Sequence, residues 1–309
     1  MPHVEVRPFR RSDREQVTRL VNAHAAAVVP GVVASVNTVL SQLEREPGEF
    51  VVDPWVLERR ALVGEQGGSV AAAALLLRYR DDPDVGPTFR GAGEIRWLLF
   101  WPMAPAGNPF WQDGESAAQI VMAACLEQCA RWGVGKVYAD GALPLPGVYG
   151  VPVQWPHIER LYREHGFEAP SGAVEVLHLA QVDAMAEPGP PALPGLQVHR
   201  LVGINGTRFT VSNEHASLGY IEVEILDLPE RHHRSGGLAD IGNLFVTPSH
   251  RRRGVGTHLL RSAAAWLRLG RVDRLLHYAA SDQTAEIAFA ESNGFSEITR
   301  TRRGWQRTT

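Results

Sequence analysis

Apolar positions along this chain repeat with two periods, and the changes from one to the other mark out its elements. Residues 4–9 alternate as a short strand. Ser12-Asp13-Arg14-Glu15 has the form of a capping box, with Val17, Leu20 and Val21 at helical spacing behind it. Residues 25–43 are expected to continue as a second helical region past the Pro30-Gly31 break. Strands are predicted over 60–64 and 69–79, joined by the turn Gly67-Gly68, and again over 94–102. Residues 117–131 show an apolar helical face, 136–140 read as a strand, and 158–167 as a helix closed by Gly166-Phe167.

Residues 183–195 break the pattern. They contain Glu187-Pro188-Gly189-Pro190-Pro191 and no helical period, the composition of a stiff linker. Strands follow over 196–202, 207–212 and 220–226, with Asn205-Gly206 as a hairpin turn. The stretch 239–270 is the most informative. A strand closed by Pro248 leads into Arg251-Arg252-Arg253-Gly254-Val255-Gly256-Thr257, and Leu259, Leu260, Ala263, Ala264 and Leu267 then form a helical stripe with His258, Arg261 and Arg268 on the other side. A basic, glycine-bearing turn between strand and helix is an anion-binding arrangement. Glycine lets backbone come close, and the unpaired N–H groups of the helix start point outward. Arginine adds forked donors suited to phosphate.

The two halves also resemble each other. Gly93-Glu94-Ile95 through Pro102 aligns with Ala239-Asp240-Ile241 through Pro248, acid for acid and proline for proline, and the helix ending at Gly166-Phe167 aligns with one ending at Gly294-Phe295. The chain therefore reads as two copies of one fold. The expected domains are 1–182, the linker 183–195, and 196–309. In the first copy residues 103–116 replace the basic turn. Pro105 and Pro109 remove donors there, so no N–H cradle is expected; Phe110 and Trp111 lining a different pocket and an ordinary packed loop are both open readings.

Composition narrows the function. A length of 309 residues allows two domains, and a formal net charge of −3 argues against nucleic-acid binding despite the arginine cluster. No apolar run is long enough for a membrane span and no signal-peptide pattern opens the chain, so the expected location is the cytoplasm. Cys125 and Cys129, one helical turn apart without other ligands nearby, read as core residues. His215, His232 and His233 read as surface-loop residues, and no metal site is expected.

The turn Arg251 to Thr257, its flanking strand and helix, and the Asn293-Gly294-Phe295 helix end together resemble the GNAT superfamily of acyl-CoA-dependent N-acyltransferases. The resemblance implies an α/β (α+β) protein of two GNAT-like domains, each a mixed, mostly antiparallel sheet flanked by helices, the first degenerate. It implies acetyl-CoA as co-substrate, without a metal, and an acetyl group moved directly to a small-molecule or peptide amine. It puts the pyrophosphate on Arg251, Arg252, Arg253, Gly254, Val255, Gly256 and Thr257, and the pantetheine arm along Phe245 and Val246.

The resemblance also implies that Asp240 is the base, since it precedes Arg251 at the spacing at which the histone acetyltransferase branch places its catalytic glutamate; alternation puts it on one strand face with Gly242, Leu244 and Val246, and a solvated or salt-bridged acid is the plainer alternative. The tyrosine that many members carry as general acid is Tyr162 in the first copy and Ala290 in the second, which leaves Tyr278 as the candidate phenol. Gln283 stands where the family often has asparagine. Glu222 and Glu224 suit an amine acceptor or a solvated strand face equally. The assembly expected is a monomer or homodimer. A non-catalytic acyl-CoA-binding sensor or scaffold is the rival function.

Overall fold

The structure, a computed structural model, describes residues 3–45, 55–102, 114–191, 193–204, 206–214, 216–226 and 236–308. Its contacts divide the chain into two units. One holds Met1–Val174 together with Thr301–Thr309, and the other holds Glu175–Arg300.

In the first unit the elements run β1 (Val4–Pro8), α1 (Arg14–Ala26), α2 (Val36–Leu43), β2 (Val56–Gln66), β3 (Ser69–Tyr79), β4 (Gly93–Phe100), α3 (Gly114–Arg131), β5 (Lys136–Ala139), β6 (Val151–Pro152) and α4 (Pro156–Glu164). The expected capping box does not form. Asp13, rather than Ser12, turns its carboxylate back to the Arg10 N–H at 2.8 Å and pairs with Arg7, after a single 3-10 turn over Arg11–Asp13. The sheet order is β1-β2-β3-β4-β5-β14, where β14 (Trp305–Thr308) is the C-terminal strand of the chain. β3 is buried along Val70–Leu77, and α3 lies so close to β2 that a Cβ on Gly64 would stand 2.8 Å from a Val121 methyl. Cys125 and Cys129 are fully buried on α3, and burial pushes both thiols up, Cys129 to about 12. Neither should react with a thiol reagent in the native protein, whereas both should after unfolding in guanidinium; fast native labelling would contradict this packing.

The second unit begins with β7 (Val174–Gln181) and continues with β8 (Gln197–Val202), β9 (Thr207–Ser212), β10 (Ser217–Leu226), β11 (Gly237–Val246), α5 (Val255–Leu269), β12 (Val272–Ala280), α6 (Thr284–Ser292) and β13 (Ser296–Arg302). Its strands are ordered β13-β7-β12-β11-β10-β9-β8, and from β7 to β8 the pairs are antiparallel except for the parallel pair β11–β12. Each unit is thus a mixed, mostly antiparallel sheet flanked by helices. α5 buries the stripe Val255, Leu259, Leu260, Ala263, Ala264 and Leu267 against Ile221, Val223, Ala239 and Ile241. His258, expected on the polar side, is buried as well.

Strand membership does not follow chain order. β7 comes before the linker region yet pairs with β12, from Arg274–Gln181 to Ala280–Glu175, and β14 pairs with β5 in the first unit. Each sheet is completed by a strand from the other half of the sequence.

Candidate functional site

Two irregularities in β11 create the site. Its ladder with β10 skips Gly242, so that Glu222 pairs with Asn243 and Val223 with Ile241. This bulge inverts the alternation of the strand. Leu244 and Val246 pack with Ala239 and Ile241 on the α5 side, while Asp240 lies on the opposite face in line with Asn243 and Phe245. The expected grouping of Asp240 with Leu244 and Val246 is therefore corrected, and the extra residue at Gly242 is the reason.

The second irregularity is a splay. β11 and β12 pair only from Gly237–Val272 to Asp240–Leu276, although β11 continues to Val246 and β12, held by β7, to Ala280. Beyond the apex at Asp240 the two strands part, and the edge of β11 facing β12 is left outside the ladder.

The loop at the open end is built for close approach. The Thr247 N–H bonds Leu218 O at 2.9 Å, and the Arg251 Nε–H donates to Val246 O at 2.9 Å. Arg252 has φ 59° and Gly254 φ 80°. A left-handed arginine costs about 1–2 kcal/mol, a conformation that persists where the surrounding structure fixes it. Gly254 is the N-cap of α5 and gives it no side-chain cap, so the first-turn N–H groups at Val255, Gly256 and Thr257 have no capping acceptor from that residue. A Cβ on Gly256 would stand 3.3 Å from the Phe289 ring of α6. The cleft between loop, β11 and α6 has a volume of about 860 Å³.

Seven of the nine residues predicted for the cofactor line this cleft: Phe245, Val246, Arg251, Arg252, Gly254, Gly256 and Thr257. Val255 instead turns its side chain into the core, and Arg253 is exposed outside the lining. The far wall, with Gln283, Glu286 and Phe289, comes from α6. Only Gln283 among these had a signal in the sequence, through its position. Phe289 on a short helix before Gly-Phe has the look of a core residue.

Asp240 is half-buried, and its Oδ1 has no hydrogen-bond partner. Burial, and then the Glu224 carboxylate opposite it, push its pKa up to about 6. Tyr278 lies two residues beyond Leu276 on β12, so register brings it to the same sheet face as Asp240. Ala290 is packed in the core. Glu224 is exposed, whereas Glu222 is fully buried. Its carboxylate accepts from Asn243 Nδ2 at 2.7 Å, Arg208 Nε at 2.8 Å and the Ile204 N–H at 3.0 Å. Desolvation pushes the Glu222 pKa up, but these donors outweigh it and hold the group below the ordinary carboxylate range. Glu222 thereby fixes Asn243, the residue that follows the bulge. His215, His232 and His233 lie outside the described residues, among which no cluster of three or more His, Cys, Asp or Glu could hold a metal.

The first unit repeats the design and closes it. β4 bulges at Arg96, with Leu75 opposite Trp97 and Leu76 opposite Ile95, and its parallel ladder with β5 ends at Ile95–Ala139. Glu94 takes the place of Asp240, only 2% exposed, bonded by the Tyr79 hydroxyl and 3.4 Å from Arg96; burial raises its pKa. Past the apex the space is occupied. The Ala142 N–H bonds Arg96 O at 3.1 Å, and the fully buried Tyr162 donates its hydroxyl to Asp140 O at 2.9 Å. Residues 103–113 of the substituted loop lie outside the described residues.

Residues 181–295 match the acetyltransferase (GNAT) family, over the span that carries the splay, the loop and the cleft. That span, within the second unit, is the part of the chain that matches the family. The chain's tandem arrangement is shared with a solved tandem GNAT protein from the clavulanic acid biosynthesis pathway, 16% identical, with a TM-score of 0.65 over 99% of this chain and 98% of that one. A GCN5-related N-acetyltransferase from Sphaerobacter thermophilus is 14% identical, with a TM-score of 0.61 over 99% and 95%. A glucosamine N-acetyltransferase region of a fungal multi-domain GH3 β-N-acetylglucosaminidase is 11% identical, with a TM-score of 0.64, and the match spans 38% of that chain. At these identities the likeness is one of GNAT fold. No curated protein sequence matches the chain.

Proposed function

We propose that the second unit binds acetyl-CoA and transfers its acetyl group directly to an amine, with the first unit as a GNAT copy that has lost its cofactor cleft. The observation that carries this reading is the splay of β11 and β12 opening onto the left-handed Arg252–Gly254 loop. Phosphate oxygens suit the α5 amides and the Arg251 and Arg252 guanidinium groups. A pantetheine arm suits the free edge of β11 at Phe245 and Val246. Gly256 leaves the room that a larger residue would take from it against Phe289. A backbone N–H of that edge would hold charge developing on the thioester oxygen. Asp240 at the apex would take the proton of the amine, and Tyr278 on the same face is the candidate donor to the leaving thiolate.

The acceptor is a small-molecule or peptide amine. No described helix is long and apolar enough to cross a membrane, and we place the reaction in the cytoplasm. Ala290, buried where the first copy has Tyr162, favours one other reading, a non-catalytic acyl-CoA-binding module. Calorimetric titration with acetyl-CoA tests the binding claim. One site per chain is expected, and Gly256→Leu should weaken it by at least about a hundredfold, since the side chain fills the cleft. Two sites, or no binding by the folded protein, would contradict the assignment. A broad amine panel then separates transferase from binding module.

A further inference from the structure

We infer that Glu286, pinned by His277, makes the inner end of the cleft reject acyl groups bearing a carboxylate, so that the donor is an uncharged acyl-CoA. The inference rests on the acyl-CoA reading above and concerns which thioester that site takes.

Charge along the cleft is divided between its two ends. The arginines of the lining, Arg251 and Arg252, belong to the loop end, where phosphates would lie. A cofactor held there extends its arm inward along β11, towards Leu244 and the apex. At that end the wall is α6, and its third residue, Glu286, lines the cleft. Glu286 Oε1 is 3.1 Å from Nε2 of His277. His277 directly follows Leu276, the residue paired with Asp240, and is 2% exposed on β12.

The carboxylate has little freedom to swing away, because its anchor cannot withdraw. His277 is held between His178, directly opposite on β7 with ring centroids 5.8 Å apart, and Phe295, in edge contact at 5.8 Å. Burial, and then its His277 neighbour, lower the pKa of His178. A terminal carboxylate on the acyl group would approach Glu286 in a partly desolvated space, where like charges a few ångströms apart weaken binding by about tenfold or more. An acetyl or other uncharged group meets no such opposition.

The test compares butyryl-CoA with succinyl-CoA, which share chain length and differ in the terminal carboxylate. Dissociation constants for the full chain are measured by calorimetry, with acetyl-CoA as reference. Succinyl-CoA is expected to bind at least about tenfold more weakly than butyryl-CoA. Glu286→Gln should close that gap by strengthening succinyl-CoA about tenfold relative to both butyryl-CoA and acetyl-CoA, with the circular dichroism spectrum of the variant reporting an intact fold. His277→Phe, which frees the carboxylate, should narrow the gap in part. Equal binding of the two four-carbon thioesters, or a gap unchanged in Glu286→Gln, would overturn the inference and leave the acyl-CoA site standing. Failure of acetyl-CoA itself to bind would overturn both.

Discussion

Glu222→Ala is expected to destabilise the second unit by about 3–5 kcal/mol, whereas Glu224→Ala, two residues away on the same strand, should stay within about 0.5 kcal/mol. Glu222 is 0% exposed and accepts from a guanidinium, an amide side chain and a backbone N–H. Truncating it leaves all three donors without their acceptor. Arg208 reaches some solvent, at 27% side-chain exposure, which favours the lower part of that range. Guanidinium titration of the two variants provides the comparison, and equal midpoints would sink the account. The pH dependence has a definite sign. The folded-state pKa of Glu222 lies below the ordinary value of 4.5, so its stabilisation is complete above that value and is lost as pH falls through the lowered one. Gly203 lies against this network, and a Cβ there would collide with Glu222 Oε1.

Asp240→Asn is expected to cut turnover by about a hundredfold or more without weakening acetyl-CoA binding, as loss of a general base does. With a pKa of about 6, Asp240 accepts a proton above that pH, and kcat/KM should fall about tenfold per pH unit below it. The stability effect runs the other way. A carboxylate whose folded pKa is raised binds protons more readily when folded, so its contribution declines as pH rises towards 6 and the ionised form is the disfavoured one. The Asn variant should therefore be at least as stable as the parent at pH 8, which separates lost chemistry from lost fold. Glu224→Gln should move the acid limb to lower pH, because it removes the carboxylate facing Asp240. Unchanged turnover in Asp240→Asn would remove Asp240 from the mechanism.

The parts of the site that depend on local chemistry were legible in the sequence. The Arg251–Thr257 turn between strand and helix and the α5 stripe follow from residue type and spacing, and the structure has the turn between β11 and α5 and the stripe in the core. What escaped was set by partners far along the chain. Glu222 and Glu224 look alike in sequence and differ because only one of them meets Arg208, Asn243 and the Ile204 N–H. The face of Asp240 was misassigned because period-two counting fails across a bulge, although a lone glycine inside a strand pattern was the available signal. The α6 wall was hidden for the opposite reason. Glu286 and Phe289 belong to a helix with one fully buried position, Ala290, so its other side chains had no pattern to mark which of them faced a cavity.

The exchange of β7 and β14 has a bearing on the order in which the protein can be made. Synthesis proceeds from the N-terminus, and domains of a nascent chain generally fold as they emerge. Here the sheet that holds β1 awaits Trp305–Thr308, which are translated after every other strand of both units. The second sheet, by contrast, has β7 in hand before its own strands appear. The half of the molecule that is translated later can therefore be completed first, and the earlier half stays open at β5 until β14 has been made.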